Sequence, residues 1–199
     1  MKQNILRVML LTTLIILLTV TNMPFAYKNK TKAFTLPGLP RPIAKTPVAI
    51  TSAGQSTDSY IIRDISNQLM IRSFFMPQAK YMNLKDINTI VFVVGYSTIG
   101  MKFQDISYDE EKERIEELLE ESKNNEMKVL TIVLGREQTR DKKAEELLRL
   151  IGTQSDYLIG LRDSSKEDIL IELSKDEDIP LTLVNEVNDI SEPFASAFR

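Results

Sequence analysis

The stretch TIVFVVG, residues 89–95, carries no charge and ends in glycine, and the similar run VLTIVLG occupies residues 129–135. Both are rich in β-branched side chains and apolar without alternation. A strand exposed on one face would alternate, so these runs predict strands covered on both faces, as in a parallel sheet between helix layers. Further runs extend the pattern on either side: Val48–Thr51, Tyr157–Leu161, Leu181–Val184 and a weaker one at Ser73–Met76.

Between the strands lie helical patterns. SYDEEKERIEELLEESKNN places Ile115, Leu118 and Leu119 on one face, Ser107 with Glu110 forms a capping box, and Glu110–Arg114 is an i,i+4 pair. RDKKAEELLRLIG offers Ala144, Leu147, Leu148 and Ile151, with Gly152 as its stop. SSKEDILIELSKDED offers Ile169, Leu170 and Leu173 and has Ser164 or Ser165 as its cap, and DISEPFASAF is a short final helix with Pro193 in its first turn. Alternation of strand and helix predicts an α/β fold: a doubly wound, mostly parallel sheet of five to six strands, Rossmann-like or flavodoxin-like. The acidic stretch 109–121 mixes both signs of charge at helical spacing and reads as a solvated face, with no metal site assigned to it.

Composition removes several chemistries. The chain has no His and no Cys. Ser-His-Asp and Cys-His catalysis, thiolate or imidazole zinc sites and His-ligated haem are therefore excluded, and disulfides with them. Phosphate-loop, dinucleotide and nucleophile-elbow motifs are missing too. No cofactor and no metal is assigned, and the reading leans away from an enzyme.

Charge divides the chain. Residues 1–47 hold Lys2, Arg7, Lys28, Lys30, Lys32, Arg41 and Lys45 and no acid; taking this +7 from the net −3 leaves −10 for residues 48–199. A domain so acidic repels nucleic acid. The uncharged run Val8–Val20 reads as a signal-peptide core or an N-terminal membrane anchor within residues 1–27, an apolar helix preceding the domain. Residues 28–47, with Pro37, Pro40, Pro42 and Pro47, read as a basic, extended spacer lacking an apolar face. Residues 48–199 are the α/β domain. The expected location is outside the cytoplasmic membrane, either anchored by the N-terminal helix or secreted after cleavage.

In such sheets ligands bind beyond the carboxyl ends of the strands. The candidate ligand-binding residues there are Ser52, Gly54, Gln55 and Ser56 after the first strand, Gly95, Ser97 and Thr98 after the TIVFVV strand, and Arg136 after VLTIVL. Small hydroxylated groups with one cation suit a small polar or anionic ligand. Ser56 or Thr57 also caps the helix that follows, and a bare capped turn would need Ser56 but not Gln55. Two other functions compete: an interaction domain for a partner in the cell envelope, and a His-independent enzyme using Asp58, Asp163 or Glu137. No oligomeric state follows from the sequence.

The segments ITSAGQSTD, VFVVGYSTIG, DYLIGLRD and IPLTLVNEVNDISEPFASAF occur in this order over residues 47–198. In this they resemble the uncharacterised bacterial family known as domain of unknown function 6305. The resemblance implies an exported or membrane-tethered α/β domain without an assigned activity, and its most specific motif is the S-A-G-Q-S turn, here Ser52 to Ser56. It also implies a Gly-rich, Lys-containing loop after the third strand, here the less Gly-rich GYSTIGMKFQDIS, and a Gly-Gly segment with paired arginines after the next. There this chain keeps Gly135, Arg136 and Arg140 but lacks the second glycine.

Overall fold

In the computed structural model, which describes residues 38–135 and 141–199, the apolar runs lie side by side as one six-stranded, all-parallel sheet. The strands are β1 (Val48–Ala53), β2 (Ser73–Phe75), β3 (Thr89–Val94), β4 (Lys128–Val133), β5 (Tyr157–Leu161) and β6 (Leu181–Val184), in the spatial order β2-β1-β3-β4-β5-β6. The chain steps from β1 to one side and then returns past it to the other, so the topological switch point lies between β1 and β3. The weak run at 73–76 forms only a three-residue edge strand.

The helices are α1 (Asp58–Gln68), α2 (Thr98–Phe103), α3 (Tyr108–Asn124), α4 (Lys142–Gly152), α5 (Glu167–Asp176) and α6 (Ser191–Ser196). Successive strand residues face opposite sides, which divides the core in two. On one side Ile90, Phe92, Val129 and Val133 pack with Ile115 and Leu118 of α3, Leu147 and Ile151 of α4, and Leu170 and Leu173 of α5. On the other, Val91, Val93, Leu130 and Ile132 pack with Ile62 and Ile65 of α1 and Phe194 of α6. Both faces of the central strands are thus buried, as their unbroken hydrophobicity requires.

Local signals hold at some helix ends and fail at others. The Ser107–Glu110 capping box forms as expected, with Ser107 N donating to Glu110 Oε2 at 2.7 Å. That occupies Glu110, and Arg114 pairs instead with Glu111 at 2.8 Å, at i,i+3 rather than the expected i,i+4. Thr57 stands at the cap of α1 without a side-chain bond, while the Ser56 hydroxyl accepts from Asp58 N at 3.2 Å. Helix α5 begins after Lys166, and neither Ser164 nor Ser165 caps it. The loop expected after β3 includes the short helix α2, which Ser97 caps by accepting from Gly100 N at 3.0 Å.

The spacer also differs from expectation. Residues 38–47 lie along the domain and present an apolar face: Ala44 is buried, and Leu39 and Ile43 pack on the α1/α6 side of the core. The amides of Ile43 and Ala44 both donate to the Ala197 carbonyl, at 3.0 and 2.8 Å, and Leu39 N donates to Ser196 Oγ at 2.8 Å. The prolines keep this segment extended, which lets it follow the surface with its amides turned inward. A fragment starting at residue 38 should therefore be roughly 2–4 kcal/mol more stable than one starting at 48, the worth of one or two buried aliphatic side chains with their hydrogen bonds. Urea unfolding of both fragments tests this, and coincident midpoints would mean the segment is only a tether.

Candidate ligand site at the strand carboxyl ends

The turn after β1 is built around a buried ion pair. Glu111, in the first turn of α3, is fully buried. Its Oε1 accepts from Gly54 N at 2.8 Å, and its two oxygens accept from Gln55 Nε2 at 3.1 and 3.0 Å. Arg114 completes the set, with Nε donating to Oε2 at 2.9 Å and a terminal nitrogen to Oε1 at 2.8 Å. The remaining guanidinium hydrogens reach the carbonyls of Ser52 at 2.6 Å and Ala79 at 2.9 Å and the Thr51 hydroxyl at 3.3 Å. A carboxylate removed from water needs this full set of donors. The reading of 109–121 as a wholly solvated face is thus corrected at Glu111.

The loops after β1 and β3 close on each other. Ser97 N donates to the Gly54 carbonyl at 2.8 Å, and Gln55 bridges Tyr96. A side chain at Gly54 would meet the Gly95 carbonyl at 2.6 Å, and one at Gly100 would meet the Gln55 carbonyl at 2.2 Å, so two glycines permit the contact. The turn after β1 and the loop after β3 are in this way in direct backbone contact beside the switch point.

Of the candidate residues, Ser52 is buried with its hydroxyl on the Ser56 carbonyl at 3.2 Å, and Gly54 and Gln55 are held by Glu111. Gln55 has a structural task that a capped turn alone would not give it. Ser56 supports the start of α1, Ser97 caps α2, and Thr98 is exposed on α2. Arg136 and Glu137 lie outside the described residues, and Asp163 is exposed.

Among the described candidates, Gly95 lines a cavity over the ends of β3, β4 and β5. The cavity measures about 10 Å³ and is lined by Asp58, Val94, Gly95, Val133, Gly135, Ala144, Ser165 and Lys166. That volume admits one water-sized group. The Lys166 side chain is 5% exposed, and its ammonium makes only long contacts, 3.4 Å to Glu145 Oε1 and 3.3 Å to the Asp141 carbonyl. The hydroxyl oxygens of Ser164 and Ser165 are buried without a hydrogen-bond partner among the described residues. Buried polar groups are normally paired, so the Ser165 hydroxyl beside this cavity is an exception among the described residues. Sequence reasoning assigned these serines to capping and passed over Lys166.

Neighbouring residues form an aromatic cluster. Tyr96, which follows Gly95, and Tyr108 meet edge to face with ring centres 6.0 Å apart, and the Lys143 ammonium lies 5.0 and 5.1 Å from the two centres. Burial, together with the Glu146 carboxylate that accepts its hydroxyl at 2.8 Å, raises the Tyr108 pKa far above its ordinary value and keeps the phenol protonated. A larger groove of about 290 Å³, lined by Leu119, Lys123, Met127, Val129, Gln154 and Asp156, lies at the opposite end of β4. There Asp156 is satisfied by Lys128 Nζ at 2.6 Å and Val129 N at 2.9 Å, and no polar atom is left over as at Ser165. Among the described residues, no group of three acidic side chains could hold a metal ion, and no helix is long and apolar enough to cross a membrane. The apolar run Val8–Val20 falls outside them.

An all-parallel, doubly wound sheet with helices on both faces defines a Rossmann-like α/β domain. A family model described as Domain of unknown function (DUF6305) matches residues 45–198, and the chain belongs to that family. No curated protein and no solved structure matches it.

Two substitutions separate structure from site. Glu111→Ala strands the Arg114 guanidinium and should cost about 3–5 kcal/mol. Ser165→Ala removes an unpaired buried hydroxyl and should leave stability unchanged or raise it by up to about 1 kcal/mol. Chemical denaturation measures both, and a loss above about 1 kcal/mol in Ser165→Ala would show that its hydroxyl is already satisfied in the folded protein.

Proposed function

We propose that this domain is a binding module, held outside the cytoplasmic membrane, for a small polar ligand at the carboxyl ends of β3, β4 and β5. One observation supports the reading: Lys166, whose side chain is buried, and Ser165, whose hydroxyl lacks a partner among the described residues, both line one cavity at the end of the sheet where α/β folds bind ligands. Export rests on the uncharged Val8–Val20 run, and tethering on the basic segment that follows it. Nothing in the cavity argues for bond-making chemistry, so binding is preferred to catalysis.

A thermal-shift screen of the protein against polar metabolites tests the reading, because a ligand specific for the folded state raises the melting point. A ligand found this way should lose at least tenfold in affinity with Lys166→Met, about 1.4 kcal/mol. Unchanged affinity would remove Lys166 from the site. For location, a Cys introduced into the 28–37 segment should react with a membrane-impermeant reagent on intact cells, and labelling only after lysis would reverse the topology.

A second reading has its own observation. Ile99 and Phe103, one helical turn apart on α2, are 69% and 83% exposed. Large apolar side chains grouped on a helix suit a protein partner in the envelope.

A further inference from the structure

We propose that α2 is a membrane-contact helix, whose Ile99 and Phe103 side chains enter the surface of the bilayer that holds the chain. The contact rests on the tethering in the proposed function and gives the domain a second hold on the same membrane.

Ile99 and Phe103 stand four residues apart on one face of α2 and are 69% and 83% exposed. Lys102, three residues after Ile99, flanks this face and is exposed, while Met101 on the opposite side of the helix is buried. Apolar side chains with a lysine beside them suit a helix lying at a bilayer surface, where the ammonium reaches back to the headgroups. The helix is also held so that these side chains stay outward. Ser97 caps it, Ile106 N donates to the Met101 carbonyl at 3.2 Å, and Gly100 lies so close to the Gln55 carbonyl that no larger residue fits.

The size of the patch decides between occupants. Two side chains of this kind offer on the order of 300 Å² of exposed surface, against about 800 Å² per partner in a stable protein interface. That is too little to hold a second copy of the chain or a soluble partner. A bilayer to which the chain is already tethered is different, because the tether keeps the helix at high effective concentration beside it and a weak apolar contact is then populated. Residues 21–37 join the uncharged Val8–Val20 run to the described domain. Seventeen residues span at most about 60 Å, and a domain of this size is about 40 Å across, so α2 can reach the surface. The acidic balance of residues 48–199 opposes attraction to anionic headgroups, which leaves apolar insertion as the source of the contact.

The chain contains no Trp, so Phe103→Trp supplies a single fluorescent reporter on this face. Full-length chain carrying it is reconstituted into phosphatidylcholine vesicles, with flotation as the measure of anchoring. Met82→Trp, at a position 64% exposed outside α2, is the comparison. The Phe103→Trp emission should lie to the blue of the Met82→Trp emission and lose intensity when the acyl chains carry bromine, while Met82→Trp is unaffected by bromine. Ile99→Asp in the Phe103→Trp background, with its melting point checked to confirm folding, should reduce both effects. A chain that floats but shows no quenching at Phe103→Trp overturns the lipid contact and leaves the anchoring standing; a blue emission in that case puts a protein surface over the helix, and a water-like emission puts it in solvent. Equal quenching at both reporters, or quenching undiminished by Ile99→Asp, overturns the assignment to this face. A chain that does not float overturns the anchoring and the contact together.

Discussion

The Glu111 carboxylate is the constraint from which the arrangement at the strand ends follows. A fully buried carboxylate is tolerable only with donors on every side, and here they come from separate parts of the chain: the Gly54 amide, the Gln55 side chain and the Arg114 guanidinium. Arg114 in turn holds the Ser52 and Ala79 carbonyls. The end of β1, its turn, the segment after β2 and the first turns of α3 are thereby fixed to one another. Once they are fixed, the loop after β3 closes on the turn through backbone contacts beside the switch point between β1 and β3.

Next to this contact, Asp58, Gly95, Ser165 and Lys166 line a small cavity over the strand ends. The two regions differ in hydrogen-bond accounting. Around Glu111 every acceptor is used, the condition of a structural network. At the cavity the Ser165 hydroxyl lacks a partner among the described residues, and the Lys166 ammonium holds Glu145 at long range. Unmet bonding capacity of this kind lowers the stability of the folded state, and sites for ligands are where proteins retain it. The 290 Å³ groove at the other end of β4 is larger, and its Asp156 carboxylate is paired with Lys128 and the Val129 amide.

Much of the fold was legible because strand and helix periods are local. The runs around Phe92 and Ile132 could only be doubly covered strands, and the core residues of α3, α4 and α5 stand at the expected spacing. Glu111 was legible in principle: it precedes Ile115 by four residues and Leu118 by seven and so lies on their buried stripe, but the acidic residues around it mask that position. Ser164 and Ser165 stand where a cap would stand, and only the third dimension separates a capping serine from one facing a cavity. The spacer's prolines specified an extended chain but carried no information about which surface it follows. Of the eight candidate ligand residues, Gly54 and Gln55 are accounted for by the lock on Glu111, which pattern reading has no means of separating from ligand binding.

Native-state hydrogen exchange at the Gly54 and Ser97 amides tests the central claim most directly. These two hydrogens lie in the contacts that join the turn to Glu111 and to the loop after β3. If the turn is a structural lock, both should exchange only through global unfolding, with the protection of the central-strand amides. If instead they exchange through local opening far below the global stability, the turn is a mobile loop and the switch-point crevice is available to a ligand after all.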